Sequence, residues 1–176
     1  ATPAEVEAAS AKVLPELASL VSEALPGDAS MVPSVLALPQ ESRIPIGVRY
    51  APKEAIRGAK DAGGGAIGYY DASGKRYRIV AFAHKDEEEA KAAMASLGKL
   101  TGAKRVSELG DEAISVELVD SGNPVAWLVA RKGSAVRAVG DESRALRSGA
   151  SAEERAKLAL SEAEKRARLD KLLAAP

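Results

Sequence analysis

Between residues 64 and 140 short β-type runs alternate with turn signals, and a single helical pattern interrupts them. That order leaves few folds open. Ala66–Tyr70 reads as a strand, and Asp71-Ala72-Ser73-Gly74 as a hairpin turn with a glycine free to take positive φ. Lys75–His84 is the partner strand. Its run Ile79-Val80-Ala81-Phe82-Ala83 predicts a central position with both faces covered. Asp86 then caps a helix, with Glu89 three residues on, and Ala90, Ala93, Met94 and Leu97 form its apolar stripe. Gly98 or Gly102 closes it. Ala113–Val119 alternates, with Ile114, Val116 and Leu118 on one face. Asp120-Ser121-Gly122-Asn123-Pro124 turns the chain into Val125–Arg131, and Lys132-Gly133 turns it again into Ala135–Val139. The expected class is α+β: an antiparallel sheet of about five to six strands, packed with N-terminal, inserted and C-terminal helices.

The flanks are of different kinds. Thr2-Pro3-Ala4-Glu5 is a helix start, and apolar positions recur from Val6 to Leu25, with Pro15 removing one backbone donor and Pro26-Gly27 ending the helix. Residues 26–63 carry Pro26, Pro33, Pro39, Pro45 and Pro52, each pushing its predecessor toward extended geometry. Leu36, Leu38, Ile44, Ile46 and Val48 are too apolar for a free linker, so this segment reads as an irregular strap across the domain, with a short helix near Lys53–Ala59. At the other end Ser151-Ala152-Glu153-Glu154 is a capping box that opens one long helix to about Leu173. Ala152, Ala156, Ala159, Ala163 and Ala167 give it a narrow small-residue stripe. The expected organisation is a helical arm over 1–25, a Pro-rich strap over 26–63 and an α+β domain over 64–176.

Composition limits the chemistry. Hydrophobic residues make up 46% but aromatics only 3%, so the core is built from Ala, Val, Leu and Ile. Charge is balanced, 25 basic against 25 acidic residues, which leaves no global field to attract nucleic acid or an anionic membrane. No apolar run approaches the roughly 20 residues of a membrane span. The start at Ala1 fits a mature form whose signal peptide has been removed, or equally a trimmed start; the expected compartment is periplasmic or extracellular. Without cysteine there is no disulfide, thiolate metal site or cysteine nucleophile, and a lipid-anchored mature form, which would begin with Cys, is not expected.

No motif specifies a reaction. His84 is the one histidine, and no Gly-x-Ser-x-Gly elbow accompanies it. One histidine and no cysteine leave only carboxylates for a metal, so no metal or other cofactor is expected. Gly63-Gly64-Gly65-Ala66-Ile67-Gly68 precedes a strand, whereas a dinucleotide loop follows one. Gly74-Lys75 lacks the rest of a phosphate loop. Gly110-Asp111-Glu112 and Gly140-Asp141-Glu142 echo one another, but neither has the alternating oxygen ligands of a calcium loop; both read as turn acids at strand ends. A hydrolase would have to pair His84 with Asp111 or Glu112. Tyr69, Tyr77 and Trp127 lie on strands that can be neighbours. If they share one exposed face, that face binds a partner or an apolar ligand; the alternative is core packing.

The strand pair, the Ala- and Glu-rich helix, Leu109-Gly110-Asp111-Glu112-Ala113, the Ala130-Arg131-Lys132-Gly133 turn and the Ser-Ala-Glu-Glu helix cap follow in one order over residues 64–173. This order resembles small extracytoplasmic bacterial domains of uncharacterised function, whose fold is similar to the PsbP/Mog1 type, an antiparallel sheet sandwiched by helices. The resemblance implies architecture and no catalytic residues. The leading expectation is a non-catalytic extracytoplasmic protein, not an enzyme, that binds another protein as an accessory subunit of a larger assembly. The alternative is a domain that binds a lipid, pigment or metabolite.

Overall fold

The computed structural model describes Val13 and residues 32–142 and 151–174. The chain divides into two units, Ala1–Met31 and Val32–Pro176. The expected helix over 1–25 lies outside the described residues apart from Val13, which is helical and exposed. The second unit carries the α+β fold.

After a one-turn helix α1 (Pro33–Leu36), the described strands are β1 (Arg43–Ala51), β2 (Gly65–Ala72), β3 (Lys75–Phe82), β4 (Lys104–Val106), β5 (Glu112–Asp120), β6 (Asn123–Lys132) and β7 (Ala135–Asp141). They form one seven-stranded antiparallel sheet in the order β1-β2-β3-β7-β6-β5-β4. Helix α2 (Glu87–Gly98) carries the chain from β3 to the far edge, and the second meander returns to pair β7 with β3. Two short helices, α3 (Ala152–Leu158) and α4 (Glu162–Ala174), end the chain.

The turns set the register. Ser73 and Gly74 both have positive φ (55° and 84°), as do Ser121 and Gly122 (54° and 82°), the geometry of a two-residue turn whose twist matches the strands. The first turn fixes Tyr70 opposite Tyr77 and Tyr69 opposite Arg78. Asp71 adds a carboxylate that accepts from the Gly74 N–H at 2.9 Å. As expected, β3 is central and buried on both faces.

The count of seven is slightly above the expected five to six; β1 and β4 fall outside the segments that read as strands, and both lie at edges. The Pro-rich segment is not irregular throughout. Its residues 43–51 form β1, paired to β2 across a bulge that lies between Arg43 and Val48. Pro45 is tolerated because an edge strand needs only one row of donors. The helix expected near Lys53–Ala59 is absent; bends run there, followed by one 3-10 turn at Lys60–Ala62.

Each face of the sheet has its own core. On the first, α2 and residues 55–62 cover Ile67, Val80, Ile114, Val116, Trp127, Val129 and Val136. Asp86 caps α2 through the Glu89 N–H at 2.9 Å, and the expected stripe Ala90, Ala93, Met94 and Leu97 is the buried one. On the second face Leu38, Leu109, Leu160, Leu169 and Leu173 cover Tyr70, Tyr77, Ile79, Leu128 and Val139.

The C-terminal helix is two helices. The expected capping box forms, with Ser151 N donating to Glu154 Oε2 (2.8 Å) and Glu154 N donating to Ser151 Oγ (3.2 Å). A second box, Ser161 with Glu164, repeats it ten residues on and starts a new helix. The alanine stripe is not the packing face of α4. Ala163 and Ala167 are exposed, and Lys165, Leu169 and Leu173, spaced by four, point inward. Lys165 is buried because its Nζ donates to Asp141 Oδ2 and to the Ala126 carbonyl, both at 2.8 Å. Asp141 Oδ1 also accepts from Leu160 N (3.1 Å).

Candidate functional site

A cleft of about 810 Å³ lies on the first face, where α2 and residues 55–62 stop short of the sheet's end. Alternation along β3 builds its floor: Val80 and Phe82 go under the helix, and Arg78 and Arg76 continue the same face beyond it. Arg49 of β1 and Tyr69 of β2 form one wall. Lys53, Glu54 and Arg57 come from the bends after β1, while Asp120 ends β5, Ser121 begins the turn after it and Glu142 follows β7.

Arg78 organises the floor. Only 9% of it is exposed. Nη1 donates to Asp120 Oδ2 at 2.8 Å and Nε to the Asp141 carbonyl at 3.2 Å, and the guanidinium carbon lies 4.8 Å from the centre of the Trp127 ring. Its Nη2 has no hydrogen-bond partner among the described residues. The indole lies flat on the sheet because its register partner is Gly140: a Cβ there would sit 2.3 Å from Trp127 Cε3. Around this floor the pairs are longer. Arg57 Nη1 lies 3.5 Å from Asp120 Oδ1, and Arg76 Nε lies 3.5 Å from Glu142 Oε2. Glu54 accepts from the Gly58 N–H at 2.7 Å.

The aromatic residues singled out in the sequence do not share a face. Tyr69 lines the cleft, and Trp127 lies beneath Arg78 with 3% exposure. Tyr77 is buried in the opposite core, stacked on Tyr70 with ring centres 5.2 Å apart and covered by the Arg168 guanidinium at 4.7 Å. The Arg76 and Arg78 that flank Tyr77 in sequence are the residues that reach the cleft.

The other candidates have structural employment. Asp111 Oδ2 accepts from Arg131 Nη1 (3.1 Å) and Gly133 N (2.8 Å), and Asp111 N donates to the Arg131 carbonyl (2.8 Å). The two short motifs around residues 109–113 and 130–133 are thus locked to each other. Gly110, at φ 61°, permits the approach, since a Cβ there would lie 2.4 Å from the Arg131 carbonyl oxygen. In the echoing triplet, Asp141 holds Lys165 and Glu142 N donates to the Arg76 carbonyl (3.1 Å). His84 stacks on Phe82 with ring centres 5.7 Å apart, and burial lowers its pKa below the ordinary value of 6.5. The charges acting on it are those of Glu89, Arg137 and Asp86, not of Asp111 or Glu112.

On the second face a groove of about 480 Å³ runs between residues 36–42 and α4, floored by Tyr77 and Ile79. Among the described residues no three His, Cys, Asp or Glu side chains converge as metal ligands, and no helix is long and apolar enough to cross a membrane. Compared with known protein families, curated proteins and solved structures, this chain has no match in any of the three.

Proposed function

We propose that this protein is a non-catalytic binding domain that takes a small ligand into the cleft on the first face of its sheet. One observation carries the reading: Arg78 is held rigidly at the cleft floor, yet its Nη2 makes no hydrogen bond among the described residues. A buried guanidinium nitrogen without an acceptor is costly, and a ligand oxygen would relieve that cost. The volume suits a metabolite-sized molecule. The expected test is a titration with neutral, anionic and cationic metabolites, following Trp127 emission and backbone amide shifts. Saturable changes centred on Tyr69, Arg78 and Trp127 support the reading, and an unresponsive cleft across the whole panel removes it.

A second reading, an accessory subunit that binds another protein, is favoured by Ile46. This side chain is fully exposed on an edge strand and adopts φ 58°, a strained conformation for a β-branched residue. The bulge between Arg43 and Val48 sets that conformation and leaves the side chain outward, where a partner seated on β1 would cover it. An extracytoplasmic setting belongs to the same proposal and rests on the resemblance to PsbP/Mog1-like domains. Ile46→Asp should abolish co-migration with any partner in native extract while leaving the melting temperature unchanged.

A further inference from the structure

We infer that the cleft selects a small polyanion, one whose carboxylate or phosphate groups are gripped by Arg49 and Lys53 at the rim and approach Arg78 at the floor. The inference rests on the ligand-binding reading above and specifies its chemistry. The chain as a whole is neutral, with 25 charges of each sign. The cleft is not: five cationic side chains line it against three carboxylates.

Two of the three carboxylates are also committed. Asp120 is bonded to Arg78 and faces Arg57, and Glu54 accepts from a backbone N–H. Glu142 faces Arg76 at 3.5 Å, and its Oε2 makes no hydrogen bond among the described residues. A cationic ligand would therefore find one carboxylate oxygen to bind, with an arginine already beside it. The surplus falls on Arg49 and Lys53, which are exposed and make no ion pair among the described residues. They come from β1 and from the bend after it, so the edge strand and its bulge place both charges over the floor built by β3. Arg57 and Arg76 are partly exposed and pair only at 3.5 Å, which makes their contacts easy to exchange for a ligand oxygen. A guanidinium fork matches the spacing of carboxylate and phosphate oxygens. Tyr69, opposite Arg78 in the β2–β3 register, supplies an aromatic edge for the carbon frame of an organic anion.

Calorimetry on the full chain at low salt tests the inference with four probes: citrate, inorganic pyrophosphate, maltose and spermidine. Saturable one-to-one binding of citrate or pyrophosphate is expected, and the preferred one identifies carboxylate or phosphate as the group recognised. Arg49→Gln and Lys53→Gln should each weaken that binding about tenfold without moving the melting temperature, because neither side chain is buried. Added salt should weaken it further. If maltose or spermidine binds with a Trp127 response and neither anion does, the charge inference fails while the ligand-binding reading stands. If none of the four binds or perturbs Trp127, both fail. Anion binding that both variants leave intact would place the site elsewhere and overturn the inference.

Discussion

The two faces of the sheet each bury a cation against an aspartate, and they finish the job differently. On the second face Lys165 spends its ammonium on Asp141 and the Ala126 carbonyl, under a helix that also brings Leu169 and Leu173. On the first, Arg78 has the same quality of contact to Asp120, but among the described residues one of its nitrogens is unbonded and no helix closes over it. The chemistry is alike and the cover is not. A buried pair that is complete fixes a helix in place; an incomplete one beside an open cleft is poised for something else. Asp141 joins the two, since its carboxylate holds Lys165 while its carbonyl holds Arg78 Nε.

The largest test of that contrast is Lys165→Met. It strands Asp141 in a site where only 5% of the side chain is exposed, and should cost about 3–5 kcal/mol, read as the urea midpoint. A midpoint that hardly moves would mean the second face is not sealed by this pair. Next is Gly140→Ala. The new methyl would meet the Trp127 ring, so about 1–3 kcal/mol of overpacking cost and a shifted indole emission are expected, because the ring must tilt. An unchanged emission would deny that the glycine sets the cleft floor. The smallest effect concerns pH on the first face. Burial lowers the His84 pKa below 6.5, so the unfolded chain takes up that proton more readily. Stability is therefore full above about pH 6.5 and declines as the pH falls below it. His84→Gln should flatten the decline between pH 7 and 5 in thermal melts; an identical slope would remove the effect.

The sheet was legible where turns and alternation were strong. Ser73-Gly74 and Ser121-Gly122 marked two hairpins, and Ile79–Phe82 marked the centre. β1 was hidden because Pro45, Gly47 and a bulge erase its alternation. The split in the last helix did leave a trace, a second Ser-x-x-Glu at 161–164, but an unbroken Ala, Arg and Lys composition masked it. The shared face expected of Tyr69, Tyr77 and Trp127 failed on parity. A two-residue turn at Ser73-Gly74 must put Tyr70 opposite Tyr77, and so Tyr69 on the other face from Tyr77. The cleft's arginines were visible as the neighbours of Tyr77. Their convergence with Arg49 and Lys53 was not, because it depends on the edge strand that the prolines concealed.

The position of β7 has a kinetic consequence. Arg78 and Asp141 touch across the middle of the sheet, yet 63 residues separate them in the chain. Each hairpin can zip from its own turn, but the β3–β7 seam requires a long loop to close before any contact rewards it. The barrier to reaching the native state therefore falls at this seam. Substitutions along it should slow the forward reaction, whereas those confined to the hairpins' far ends should chiefly hasten escape. The same strand junction that holds Arg78 and anchors Lys165 through Asp141 is then also the gate through which the molecule acquires its shape.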